Sequence, residues 1–246
     1  MLQRRQDSWL MVTLATATLL SACGNTSTEE QADPLPPPPY GEEEKSNFEV
    51  WLDTMELSSR ELYSSRDAVL EALQLKESDR VADIGSGTGI YSLLFSDAVG
   101  PDGIVFAVDI EPRFLSIVTQ RVADEDLENV VAVLSRQDDV TLPKGVLDVA
   151  FVADTYHYFK EPDRVMRSVH EALADDGRVF VLDYEFVEGG DSDPSRDHLR
   201  FGKDDLVSEV EGYGFRLKQE IDIPGMSEFY VLEFDKNDGL AEGTDE

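Results

Sequence analysis

Cysteine occurs once in 246 residues and histidine three times, and lysine and arginine together number 21 against 52 acids. A single cysteine excludes an intramolecular disulfide, so packing alone must hold the fold. The net charge of −31 argues against nucleic acid as a partner, because phosphates need Lys and Arg to displace their counterions. It argues equally against docking on an anionic membrane surface. No grouping of Cys, His and acids has metal-ligand spacing, and no G-x-S-x-G elbow is present. The apolar stretch from Trp9 to Leu20, diluted by Thr13, Thr16 and Thr18, is too short for a comfortable bilayer span. What remains is an apolar fraction of 41 %, enough to build a core in one medium domain.

The N-terminus reads as an export signal over residues 1–22, with Arg4 and Arg5 preceding the short apolar core. It ends Leu20-Ser21-Ala22-Cys23, which resembles the lipobox of bacterial lipoproteins. That resemblance implies cleavage before Cys23 and a diacylglycerol on its thiol. Gly24 stands where an acid would retain a lipoprotein at the inner membrane, so a site facing the periplasm, on the outer membrane, is expected. Gln6-Asp7-Ser8 after the arginine pair fits the twin-arginine route poorly. Residues 23–47 hold a Pro34–Pro39 run interrupted only by Leu35, and Glu42-Glu43-Glu44. They are expected to form an extended, disordered tether. An acidic, disordered tail is expected over 237–246. Arginine outnumbers lysine and Asp outnumbers Glu, a balance that resembles proteins of saline habitats. An ordinary solvated acidic surface accounts for it as well.

From residue 48 the pattern becomes that of a folded domain, expected to run to 236. Apolar residues at helical spacing predict helix from Phe48 to Leu75, broken near Leu57-Ser58-Ser59. Arg60, Tyr63 and Arg66 share a face there, either as a lid over the glycine loop at 85–89 or as a plain solvated surface. The centre of the chain is Val81-Ala82-Asp83-Ile84-Gly85-Ser86-Gly87-Thr88-Gly89. A buried strand runs into an acid, then a G-x-G-x-G turn, then a helix start. Glycine belongs where backbone needs φ > 0 or must approach a ligand closely, and a helix N-terminus offers unpaired N–H groups. Strands are predicted at 80–84, 104–109, 130–134, 147–153 and 178–183, and helices at 89–98, 111–124, 161–174 and 203–212. Asp175-Asp176-Gly177 reads as a turn, and 214–220 and 229–234 read as a hairpin. This alternation predicts a parallel sheet covered by helices. Its ligand site should lie at the carboxyl ends of the strands, where Asp83, Asp109, Asp138, Asp139, Asp154 and Asp183 fall.

These residues resemble the class I S-adenosylmethionine-dependent methyltransferases over roughly 48–236. Val81–Gly89 looks like their first motif, and Val108-Asp109-Ile110-Glu111 like the second. Leu147–Asp154 looks like the fourth-strand motif, and Leu173–Val181 like the turn and fifth strand. Within the class the chain is similar to ubiquinone-biosynthesis-type small-molecule methylases and to exported methyltransferases with a D-T-Y-H segment. The resemblance implies a Rossmann-like, doubly wound, mostly parallel seven-stranded sheet with an antiparallel last strand and an N-terminal helical lid. It implies S-adenosyl-L-methionine as cofactor and a small-molecule acceptor. Gly85, Ser86, Gly87 and Gly89 would approach the methionine part, and Asp83 and Asp154 would hold its ammonium. Asp109 would take the ribose diol and Ile110 would pack on adenine. Ser135-Arg136 departs from the family by standing where an acid would reach the adenine amine, so Asp138 or Asp139 is expected to substitute. His157, with Tyr156 beside it, is the candidate catalytic base, or else a packed histidine at a strand end. Tyr184 would wall the acceptor site. A non-catalytic nucleoside-binding lipoprotein stays open, because the cofactor is made in the cytoplasm. A nicotinamide enzyme is the third reading, against which the glycine spacing counts. Oligomeric state is not legible in the sequence.

Overall fold

The computed structural model describes residues 48, 52, 55–57, 60–185 and 202–237. The export signal with Cys23, the tether, residues 186–201 and residues 238–246 lie outside these. Seven strands form one sheet: β1 (Arg80–Ile84), β2 (Ile104–Asp109), β3 (Val130–Leu134), β4 (Leu147–Ala153), β5 (Leu173–Tyr184), β6 (Phe215–Ile221) and β7 (Phe229–Lys236). Their order is β3-β2-β1-β4-β5-β7-β6. β7 is antiparallel to both neighbours, β5 and β6, and the other pairings are parallel. Among the described residues the α-helices include α1 (Glu61–Ser64), α2 (Arg66–Leu73), α3 (Ile90–Val99), α4 (Pro112–Asp124), α5 (Pro162–Ala172) and α6 (Lys203–Gly212).

The near-continuous apolar runs of β1, β4 and β5 follow from burial on both faces of a parallel sheet. Alternation sends Ala82, Ile84, Ala150, Val152, Val179 and Val181 to one face, against Val165, Met166 and Val169 of α5 and Leu206 and Val210 of α6. Val81, Val149, Phe151, Phe180 and Leu182 go to the other, against Val69 and Leu73 of α2 and Phe95 and Val99 of α3. Helix starts follow local chemistry. Glu111 caps α4 by accepting from the Arg113 N–H at 3.0 Å, and Pro112 and Pro162 occupy first-turn positions where no N–H is needed.

Two expectations are corrected. β5 begins at Leu173, not near 178. Its pairing with β4 jumps from Leu147–Leu173 to Val149–Arg178, so Asp175-Asp176-Gly177 is taken up as an irregularity inside the strand. Gly177 allows this, since a Cβ there would lie 2.8 Å from Leu173 and 3.0 Å from the Ala174 carbonyl. The Arg60-Tyr63-Arg66 face is divided. Arg60, in extended conformation before α1, reaches inward, whereas Arg66 folds over the Tyr63 ring at 4.3 Å and donates to the Tyr63 carbonyl. No helix among the described residues is long and apolar enough to cross a membrane.

The strand order reverses between β1 and β4. Loops leaving their carboxyl ends diverge there and leave a crevice, the usual ligand position of such sheets.

Candidate active site

That crevice holds a cavity of about 460 Å³, within the range of small-molecule sites. Its floor is the glycine turn. Gly85, Gly87 and Gly89 have φ of +73°, +52° and +83°, which side-chain-bearing residues rarely adopt. Gly85 and Gly87 line the cavity. Gly89 instead lets α3 approach α4, where an added Cβ would meet Val118 at 2.9 Å. Gly85 has a packing reason as well, with Thr155 within 2.8 Å of where its Cβ would stand. Ser86 is buried beside the turn and does not line the cavity.

Asp109 ends β2 on the cavity wall, buried. One carboxylate oxygen accepts the Gly87 N–H at 2.9 Å and the other the Glu111 N–H at 2.8 Å. Burial pushes its pKa up to about 6, against those backbone bonds. An ionised carboxylate has about four lone-pair sites, so capacity remains for two hydroxyl donors, as a ribose diol offers. Ile110 follows on the same wall and offers an apolar surface for a base. Glu111 is held by Arg113 in a two-pronged pair of 2.8 Å contacts, which lowers its pKa. The Arg113 guanidinium lies over Phe48 at 4.1 Å, and Phe48 packs on Phe114 at 4.8 Å.

Asp154 follows β4 on the opposite wall. Its φ of +51° is unusual for a residue with a side chain, a form of strain common at functional sites. It is held there by its N–H to the Leu182 carbonyl at 2.8 Å and by an ion pair with Arg60. Burial raises its pKa to about 6, and Arg60 opposes that rise. Behind it, His157 Nδ1 lies 2.7 Å from Asp183, and both side chains are almost fully buried. Atoms of Asp154, His157 and Asp183 able to ligate a metal lie within 4.8 Å of one another, a grouping the sequence spacing did not reveal. Arg60 already supplies a cation there.

Several expected site residues are placed elsewhere. Asp83 does not line the cavity. It is buried toward α3, accepting from Ser92 Oγ at 2.6 Å, and desolvation raises its pKa to about 7. Asp138 pairs with Arg164 at 2.7 Å outside the cavity wall, and Asp139 accepts the Thr141 N–H at 2.6 Å. Neither lines the cavity, where one of them was expected to reach the adenine amine. Tyr156 is fully buried in the core and donates to Glu209 at 3.0 Å. His157 lies behind Asp154 and does not line the cavity either. Of the three residues 156–158, Tyr158 is the one that does, partly exposed and flanked on the wall by Thr155 and Phe159. Tyr184 stacks on Phe229, centroids 4.0 Å apart, and is not on the wall. Met55, which by spacing is only one member of a helical apolar stripe, covers the turn, 3.2 Å from where a Gly87 Cβ would stand.

The family model described as a methyltransferase domain matches residues 75–208. Similar curated proteins include the arsenite methyltransferase of Halobacterium salinarum, 29 % identical over 134 residues, covering 54 % of this chain and 33 % of that protein. The ubiquinone/menaquinone biosynthesis C-methyltransferase UbiE of Vibrio campbellii is 28 % identical over 164 residues, covering 66 % of this chain and 56 % of that protein. The chain thus spans between a third and somewhat over half of these relatives. The crystal structure of a SAM dependent methyltransferase from Aquifex aeolicus superposes with a TM-score of 0.64 at 23 % identity, over 78 % of this chain and 96 % of that one.

Proposed function

This chain belongs to the methyltransferase-domain family, within the class I S-adenosylmethionine-dependent methyltransferases, and from that premise we propose that it methylates a small-molecule acceptor as a lipid-anchored, exported enzyme. The observation that carries the reading is Asp109, a buried carboxylate on the cavity wall with both oxygens oriented by backbone N–H groups and room for a diol. The residues present fit the cofactor. Asp109 would take the ribose hydroxyls, Ile110 the base, and Gly85 and Gly87 would admit the methionine chain. Asp154 and Arg60 would face its ammonium and carboxylate.

S-adenosylmethionine, when bound, supplies a methyl carbon on a cationic sulfur that leaves as a neutral thioether when a nucleophile takes the carbon. The protein's contribution is then chiefly positioning. Met55 and Phe48 cover the site and exclude water. Tyr158 offers a hydroxyl on the wall able to orient an acceptor, as Ser135 and Thr155 do beside it.

Incubating the full chain with methyl-labelled S-adenosylmethionine and a small-molecule extract of the cell envelope tests the activity. Label should appear in the extract; cofactor binding with no label transferred to any fraction would replace the enzyme by a binding protein. That second reading is favoured by one observation, that His157, the expected base, does not reach the cavity. For the anchor, Cys23→Ser should move the chain from the membrane fraction to the soluble one. A variant that stays membrane-bound contradicts the lipid.

A further inference from the structure

The two edges of the sheet differ. Edge strands are commonly guarded against pairing with another chain by charges and by bulges. β6, at one edge, carries both: Arg216, Lys218 and Glu220 are exposed along it, and its pairing with β7 slips between Leu217 and Gln219. β3, at the other edge, carries neither. It reads Val130-Val131-Ala132-Val133-Leu134, 5 apolar residues in a chain of which 30 % is charged. Val131 and Leu134 are 46 % and 55 % exposed, and Ala132 is exposed between them. Among the described residues β2 is its only strand partner.

The open edge presents a defined set of backbone groups. The Asn129 carbonyl accepts the Val105 N–H at 2.8 Å, and the Ser135 N–H donates to the Asp109 carbonyl at 2.9 Å. Successive residues of a strand turn their N–H and C=O groups to opposite sides. Residues 129, 131, 133 and 135 therefore face β2, and Val130, Ala132 and Leu134 turn theirs outward. Such a row is a template for another extended chain.

A second copy of the same edge matches it. A two-fold axis pairs a strand with itself antiparallel. With the axis at Ala132, Val130 lies opposite Leu134, Val131 opposite Val133, and Ala132 opposite its own copy. Every apolar residue of the strand is matched, and the three outward residues all fall in hydrogen-bonded pairs. The same register sets Glu128 opposite Arg136 at both ends. Both are exposed, and neither has an ion-pair partner among the described residues. Beyond Arg136 the chain turns at 137–138 and leaves the line of the strand. The smallest slips that keep outward groups paired would set Leu134 against Glu128, or Val130 against Arg136.

We propose that two copies of this chain join by antiparallel pairing of their β3 strands, with Ala132 on the axis, running two sheets into one. The interface is one strand wide and therefore weak. The charge of −31 on each copy opposes it until salt screens the repulsion. The pairing does not depend on what the cavity binds.

Sedimentation equilibrium of the full chain, in a neutral detergent matched to the buffer density, tests this between about 5 and 500 µM at about 0.1 and 0.5 M potassium chloride. A monomer–dimer equilibrium should appear, shifted toward dimer at the higher salt. A132P removes the central outward N–H, which makes no bond to β2, and V131K sets a charge on the edge. Each should weaken the dimer about tenfold, with far-UV circular dichroism unchanged. E128R and R136E should each weaken it about fivefold. Mixing those two variants should restore it as a heterodimer, since only the mixed pair joins opposite charges at both ends. A chain that stays monomeric throughout would overturn the proposal. So would a dimer that survives both A132P and V131K, or a mixture of E128R and R136E that associates no more tightly than either alone.

Discussion

Three carboxylates, the buried Asp83 and Asp109 and the half-buried Asp154, are raised to about 7, 6 and 6 by desolvation, and they do different things. Asp109 and Asp154 face the cavity. Asp83 faces Ser92 and acts on stability. A raised acid keeps its proton in the folded chain after the unfolded chain has lost it. Stability therefore falls as pH rises from the unfolded value near 4 to the folded value, and levels off above it. Asp83→Asn removes this dependence for one group. Thermal denaturation should show the variant gaining on the parent progressively between about pH 4 and pH 7, with little further change above. A difference independent of pH would contradict the buried-charge account. The same residues show where sequence and structure part. The place of Asp109 on the cavity wall was legible because an acid closing an unbroken apolar strand has no evident packing role. Asp83 and Asp138 were not, because strand-end position does not say whether a carboxylate turns to the ligand, to a helix or to a neighbouring arginine.

The elements were read closely from periodicity, since parallel strands buried on both faces leave unbroken apolar runs, and β1 to β4 fall where expected. The segment after β4 was read less well. Tyr156, His157 and Tyr158 form one turn of 3₁₀ helix, with three residues per turn, so the three side chains point in three directions. Spacing alone could not tell which enters the cavity. The N-terminal element depends on long-range bonds that no local pattern contains. Glu61 accepts the backbone N–H groups of Ser227 and Glu228 at 2.6 and 2.7 Å, which ties α1 to the β6–β7 connection. Glu61→Ala should cost about 1–3 kcal/mol and raise amide exchange at Ser227 and Glu228 before the core exchanges; unchanged protection there would contradict the tie. Gly85→Ala joins an unfavourable φ to a collision with Thr155 and should cost about 2–3 kcal/mol in chemical denaturation. Adding Thr155→Gly, which removes the Oγ1, Cγ2 and Cβ contacts, should recover part of the cost, the dihedral strain remaining.

At the scale of the whole molecule, a net charge of −31 repels itself, and salt screens that repulsion over a Debye length of about 3 Å at 1 M. The melting temperature should rise between 0.1 and about 2 M potassium chloride; a flat profile would leave the acidic composition as ordinary solvated surface. On this reading the crevice between β1 and β4 is a nucleoside-cofactor site built on Asp109. Calorimetric titration of the full chain with S-adenosylhomocysteine tests it most directly, run beside Asp109→Ala. One-to-one binding, weakened about a hundredfold by the loss of two charge-assisted hydrogen bonds in the variant, is the predicted result. Absence of binding to the folded parent chain, or equal binding by both, would contradict it.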